Sequence, residues 1–160
     1  VLRLRLVCVG HAKAGAERDL AARYIERARL AGRAAGLVLE YREIDESRAR
    51  RPEDRKAEEA RAIAARVEPG ALVVALDERG EAIDSPRFAN LIGGARDDGA
   101  PALVFVIGGP DGLDPAFKKT ATHCIAFGAM TWPHQLVRVM ASEQIYRAVT
   151  ILTGHPYHRM

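Results

Sequence analysis

Long apolar runs are missing from this chain of 160 residues. No stretch approaches the ~20 residues that a membrane-crossing helix needs, and no apolar leader opens the sequence, so a soluble, cytoplasmic protein is expected. Cysteine is scarce. Cys8 and Cys124 each sit inside an apolar run, which excludes a disulfide scaffold and points to buried, reduced thiols. The five histidines and two cysteines make no zinc spacing. His155 and His158 form the closest pair, and no metal is expected. Gly10 and Gly15 have the spacing of a phosphate loop, but Ala16 and Glu17 stand where it needs lysine and Ser/Thr. The dinucleotide fingerprint G-x-G-x-x-G after a strand is lacking, and so is a G-x-S-x-G nucleophile elbow. Val1 in first place reads as an artefact of start-codon translation.

What is present describes one globular domain. Hydrophobic residues make up 48% and charged residues 28% of the chain, which argues against disorder and suits a single core. Basic residues number 24 against 21 acidic, a formal charge of +3. That balance permits an anionic partner without demanding one. Only Lys13, Lys56, Lys118 and Lys119 among the basic residues are lysines, an arginine bias that codon usage explains as readily as function does.

Strand-like and helix-like patterns alternate along the chain. Residues 2–10, 36–44, 71–80 (a strand and its turn), 102–107 and 124–130 read as strands. Helices are expected over 16–31, 53–67, from Ser85 as cap with Pro86 in the first turn, from Asp114 and Pro115, and over about 136–152. The third to fifth strands are apolar throughout, as in sheets covered on both faces. The fold class is therefore α/β: a mainly parallel sheet of about five strands with helices on both faces.

Ligands of such sheets bind beyond the strands' C-terminal ends, which singles out residues 76–80, 108–113 and 127–134. The glycines of "VIGGPDGL" (106–113) suit either a tight turn or close approach of a ligand to the backbone. In "AFGAMTWPHQLVRV" (126–139), backbone groups in the bend offer contacts to a purine-like ring, and His134 sits near the start of the last helix. That helix is apolar nearly all round, from Leu136 to Leu152. It is either a central core helix or a subunit interface, most simply a two-fold dimer. "SRARRPEDRK" (47–56) is either an RNA-backbone contact or a solvated charged loop.

"IGGPDGL", "TWPHQLVRVMASEQIYRA" and the terminal "HPYHR" occur in this order, with "RLRLVCVGHAK" at the start and "VALDERG" in the middle. On these motifs the chain resembles the RlmH family, the ribosomal RNA large-subunit pseudouridine N3-methyltransferases of the SPOUT, or α/β-knot, superfamily. The resemblance implies a single SPOUT domain over 1–160, with a trefoil knot and cofactor site within about 72–160. The implied cofactor is S-adenosyl-L-methionine, held by Leu76, Gly108, Phe127, Gly128, Ala129, Met130, Thr131 and Trp132. Trp132 stands where such proteins more often have an aliphatic residue or phenylalanine. The implied substrate is N3 of pseudouridine 1915, in the helix 69 loop of 23S rRNA, on the assembled ribosome. A homodimer through the C-terminal helix is expected from that helix's all-round apolar surface. His134, Tyr157, His158 and Arg159 are the candidate catalytic residues, with the tail expected to fold over the cofactor pocket. The competing readings are a SPOUT enzyme acting on tRNA and a non-catalytic α/β module that binds RNA or nucleotides.

Overall fold

A computed structural model of the chain describes residues 1–159. Five strands alternate with five helices: β1 (Leu2–Val9), α1 (Ala16–Gly32), β2 (Leu37–Ile44), α2 (Pro52–Ala64), β3 (Leu72–Ala82), α3 (Ser85–Asp97), β4 (Ala102–Ile107), α4 (Pro115–Thr120), β5 (His123–Ala126) and α5 (His134–Thr153). A short 3-10 turn, Arg33–Ala35, leads from α1 into β2. The strands form one sheet in the order β2-β1-β4-β3-β5, and every pairing is parallel.

The sheet's two faces follow from alternation along the strands. Leu2, Leu4, Leu6 and Cys8 of β1, with Leu103, Phe105 and Ile107 of β4, pack under α1, α3 and α5. Val7 and Val9, with Val104 and Val106, turn to the other face, where α2 and α4 cover them. Arg5 shares that second face and is only 8% exposed. Glu40 and Glu68 pair with its guanidinium at 2.9 and 2.8 Å, and the Arg66 carbonyl accepts from it.

Several boundaries differ from the sequence reading. Helix α2 stops at Ala64 rather than Val67. The cap of α3 is Asp84 and not Ser85: the Asp84 carboxylate accepts the Arg87 amide, while the Ser85 hydroxyl donates to Gln144. Strand β5 ends at Ala126 instead of Met130, and the chain leaves the sheet before Gly128. Helix α5 begins two residues early, at His134. Its all-round apolar surface is largely occupied within its own chain, by α1 on one side and α3 on the other, so the core-helix reading accounts for most of it.

Strand β3 carries an irregularity that shapes the site. Leu76 and Glu81 both register with Ile125, so residues 77–80 are thrown out as a bulge. Gly80 closes that bulge against β5. A Cβ there would lie 2.6 Å from the backbone N of Ile125, closer than any side chain tolerates.

Candidate active site

Because all five strands run the same way, the ends of β3, β4 and β5 open at one edge. A cleft of about 280 Å³ lies there, at the small end for a ligand site. The β3 end supplies Leu76, Asp77 and Glu78. The turn after β4 supplies Gly108 to Leu113, and the segment after β5 supplies Phe127, Gly128 and Met130 to Trp132. His134 and Val137 of α5 close the remaining side. Of the eight residues expected to hold the cofactor, seven line the cleft, and Ala129 does not.

The turn explains its own glycine. A Cβ on Gly108 would stand 2.9 Å from the Gly112 carbonyl carbon and 3.0 Å from the Leu113 side chain. Tight folding of the turn on itself is thus reason enough for glycine there. The segment after β5 is a loop tied to itself and to β3. The Trp132 indole N–H donates to the Phe127 carbonyl at 3.1 Å, and the Thr131 hydroxyl donates to Glu78 at 2.6 Å. The Trp132 ring remains 40% exposed. Next to Glu78 on β3, Asp77 takes the Lys118 ammonium at 3.4 Å.

Helix α5 is fixed over the sheet by Arg138, which is only 3% exposed. Its guanidinium donates to the carbonyls of Val9 and Gly10, to the Tyr41 hydroxyl, and to Glu43 at 2.7 Å. This ties the first turns of α5, and with them His134, to the ends of β1 and β2. Cys8 lies in the same layer. Burial pushes its thiol up to about 12, so it is an inert core residue.

The tail lies elsewhere. Tyr157 packs edge-on against Tyr146, with ring centroids 4.8 Å apart. Its hydroxyl donates to Glu143 at 3.0 Å, and the Arg27 and Arg147 guanidinium groups lie over its ring. Burial, with Tyr24 and Glu143 beside it, pushes the phenol well above its ordinary range, so it keeps its proton and serves as a donor. His158 Nδ1 lies 3.1 Å from Arg147 Nη1. Arginine can only donate, so this nitrogen accepts in that contact. Arg159 is exposed. Glu143 is nine residues beyond His134, about 13 Å along the helix. Within one chain, then, Tyr157, His158 and Arg159 do not line the cleft, so the tail forms no lid over its own chain's site. His134 alone among the candidate catalytic residues lines it.

Asp77, Glu78 and Asp111 were not singled out from sequence, although the segments containing them were. Their signal was adjacency to Leu76 and to the glycine turn. Among the described residues, no cluster of three or more His, Cys, Asp or Glu side chains is placed to hold a metal. No helix among them is long and apolar enough to cross a membrane.

A family model described as "Predicted SPOUT methyltransferase" matches residues 2–158. The chain is 59% identical to ribosomal RNA large subunit methyltransferase H of Beijerinckia indica, and the match covers 99% of each chain. The chain belongs to this SPOUT methyltransferase family. Another such relative, ribosomal RNA large subunit methyltransferase H of Methylocella silvestris, is 57% identical over 99% of each chain. In fold, the SPOUT chain is similar to the crystal structure of a probable methyltransferase from Bordetella pertussis Tohama I. The TM-score is 0.52 at 16% identity, covering 92% of this chain and 95% of that one.

Proposed function

We propose that the protein is an S-adenosyl-L-methionine-dependent methyltransferase that methylates N3 of a pseudouridine in 23S rRNA, pseudouridine 1915, on the assembled ribosome. The observation that carries this reading is the cleft at the ends of β3, β4 and β5, in a chain of this family. It lies within residues 72–160, where we also place the trefoil knot. Its chemistry suits the cofactor. Leu76, Ile107, Ile125 and Phe127 offer an apolar wall for a purine, and Asp77 and Glu78 offer carboxylates to a cationic ligand. Bound there, the cofactor supplies an electrophilic methyl group on its sulfonium.

The protein's own task is alignment and removal of a proton. N3 of pseudouridine carries a proton and is a poor nucleophile until that proton leaves. His134 lines the cleft and is the candidate acceptor. Tyr157 keeps its proton, so its role is stacking or donation. Arg159, exposed and always charged, is suited to a phosphate or to the developing anion.

The distance between tail and cleft within one chain supports a working homodimer in which the tail of one protomer serves the cleft of the other. Arg159→Ala and a cleft variant, Gly108→Val, are each expected to be inactive as homodimers. Mixed dimers should recover activity only if the tail acts across the subunit boundary. The decisive test of function is methyl transfer from labelled cofactor to ribosomes lacking the modification, beside free rRNA and tRNA. Labelling of ribosomes alone is expected. Labelling of tRNA, or cofactor binding with no transfer to any RNA, would overturn the reading.

A further inference from the structure

Arg55 stands in the first turns of α2, in the charged stretch that sequence alone leaves as either an RNA contact or a solvated loop. Its guanidinium faces two ways. Nε and Nη2 donate to the two carboxylate oxygens of Asp111 at 2.7 and 3.1 Å. Nη1 donates to the carbonyls of Ala49 and Arg50 at 3.1 and 3.0 Å. Asp111 belongs to the glycine turn that lines the cleft. The two carbonyls belong to the segment whose Arg48, Arg50 and Arg51 side chains are exposed. One turn further along α2, Glu59 is only 5% exposed. Its Oε2 accepts the Ser47 amide at 2.9 Å. Its Oε1 has no hydrogen-bond partner among the described residues and lies 3.4 Å from where a Cβ on Gly109 would stand. Residues 47–50 and the turn 109–112 therefore rest on the same two side chains of α2.

We propose that Arg55 is a positioning residue that couples the cofactor turn to the basic segment 47–51, so that RNA phosphates held by Arg48, Arg50 and Arg51 and cofactor held in the cleft favour one another. This rests on the function proposed above. A two-pronged guanidinium–carboxylate pair fixes orientation as well as distance, which an ammonium cannot reproduce. Ordering the turn around a ligand holds Asp111, hence Arg55, hence the carbonyls of residues 49 and 50. Coupling of this kind is reciprocal: whatever cofactor does for the segment, RNA on the segment does for cofactor.

The test uses the full-length protein without RNA. Calorimetry measures cofactor affinity, and amide hydrogen exchange shows where cofactor protects the backbone. In the wild type, S-adenosylmethionine should slow exchange at residues 109–113 and also at 47–51. In Arg55→Lys and Arg55→Gln, protection should be confined to the cleft segments, and the Kd should weaken by about five-fold or more. Arg61→Gln serves as the control, since Arg61 is an exposed residue of the same helix outside both segments; its affinity and protection should match the wild type. Should the glutamine variant not fold, the lysine variant decides. Wild-type affinity with protection of 47–51 retained in the Arg55 variants would overturn the proposal. So would absence of that protection in the wild type, or equal weakening in Arg61→Gln. A wild type that binds no cofactor would instead sink the functional reading itself, and the coupling with it.

Discussion

At the scale of single residues, the most consequential side chain outside the cleft is Glu43. Burial alone would raise its carboxyl, but the Ala12 amide, the Tyr41 hydroxyl, Arg138 and His11 together hold it below the ordinary carboxylate value. A carboxylate depressed in the folded state adds stability that is fully present above its unfolded pKa of about 4.3 and is lost as pH falls through the folded value. Glu43→Gln should therefore destabilise the protein at neutral pH and flatten its acid sensitivity. Breaking a fully buried pair costs about 3–5 kcal/mol. Glu43 is 23% exposed, so a loss of about 2–3 kcal/mol is expected in urea unfolding at pH 7, shrinking towards zero below pH 4. An unchanged acid limb would show that Arg138 is neutralised by other means.

At the scale of elements, the β3 bulge and the tail carry separate predictions. Gly80→Ala forces a methyl group into the backbone of β5, which cannot yield as a flexible side chain would. It should cost about 3 kcal/mol and weaken cofactor binding, because Asp77 and Glu78 of that bulge line the cleft. Thermal unfolding and calorimetry read both effects; a fully stable variant would mean that β5 is free to shift. Removing residues 157–160 deletes the Tyr157–Tyr146 contact, worth about 0.5–1.5 kcal/mol, so the shortened chain should fold with a modestly lowered Tm. Methyl transfer should nevertheless collapse, and Arg159→Ala alone should lose about 2–4 kcal/mol of transition-state stabilisation. Transfer at the wild-type rate by the truncated protein would make the tail purely structural.

The same elements show what the sequence discloses. The strands were legible because apolar residues alternate or run unbroken in β1 and β4, and the three cleft segments because parallel strands must end somewhere in common. The end of β5 was not legible: "CIAFGAM" is apolar past Ala126, and nothing local marks the turn. Asp84 and Ser85 are both capable caps, and only the hydrogen bond decides between them. The Arg55–Asp111 pair and the berth of Tyr157 join distant parts of the chain, which no local pattern announces.

At the scale of the molecule, the subunit boundary is the open question that a substitution can answer. Ala141 and Ile145 are each 1% exposed within their own chain, so arginine there would break the core and report nothing about association. Leu136, on the same helix, is 40% exposed. Leu136→Arg should leave the fold intact and yield monomers at micromolar concentration by analytical ultracentrifugation, against a wild-type dimer. A wild-type monomer would remove the basis for a tail acting in trans.

The packing of the last helix against the first has a consequence for synthesis. The side of α1 that packs on α5 stays uncovered until α5 has been made. At about 5–20 residues per second, the stretch from the end of α1 to the end of α5 leaves the nascent chain with an exposed greasy face for roughly 6–24 s. A chaperone that waits beside the growing polypeptide would find its binding site on α1, and would lose it only when α5 has docked there.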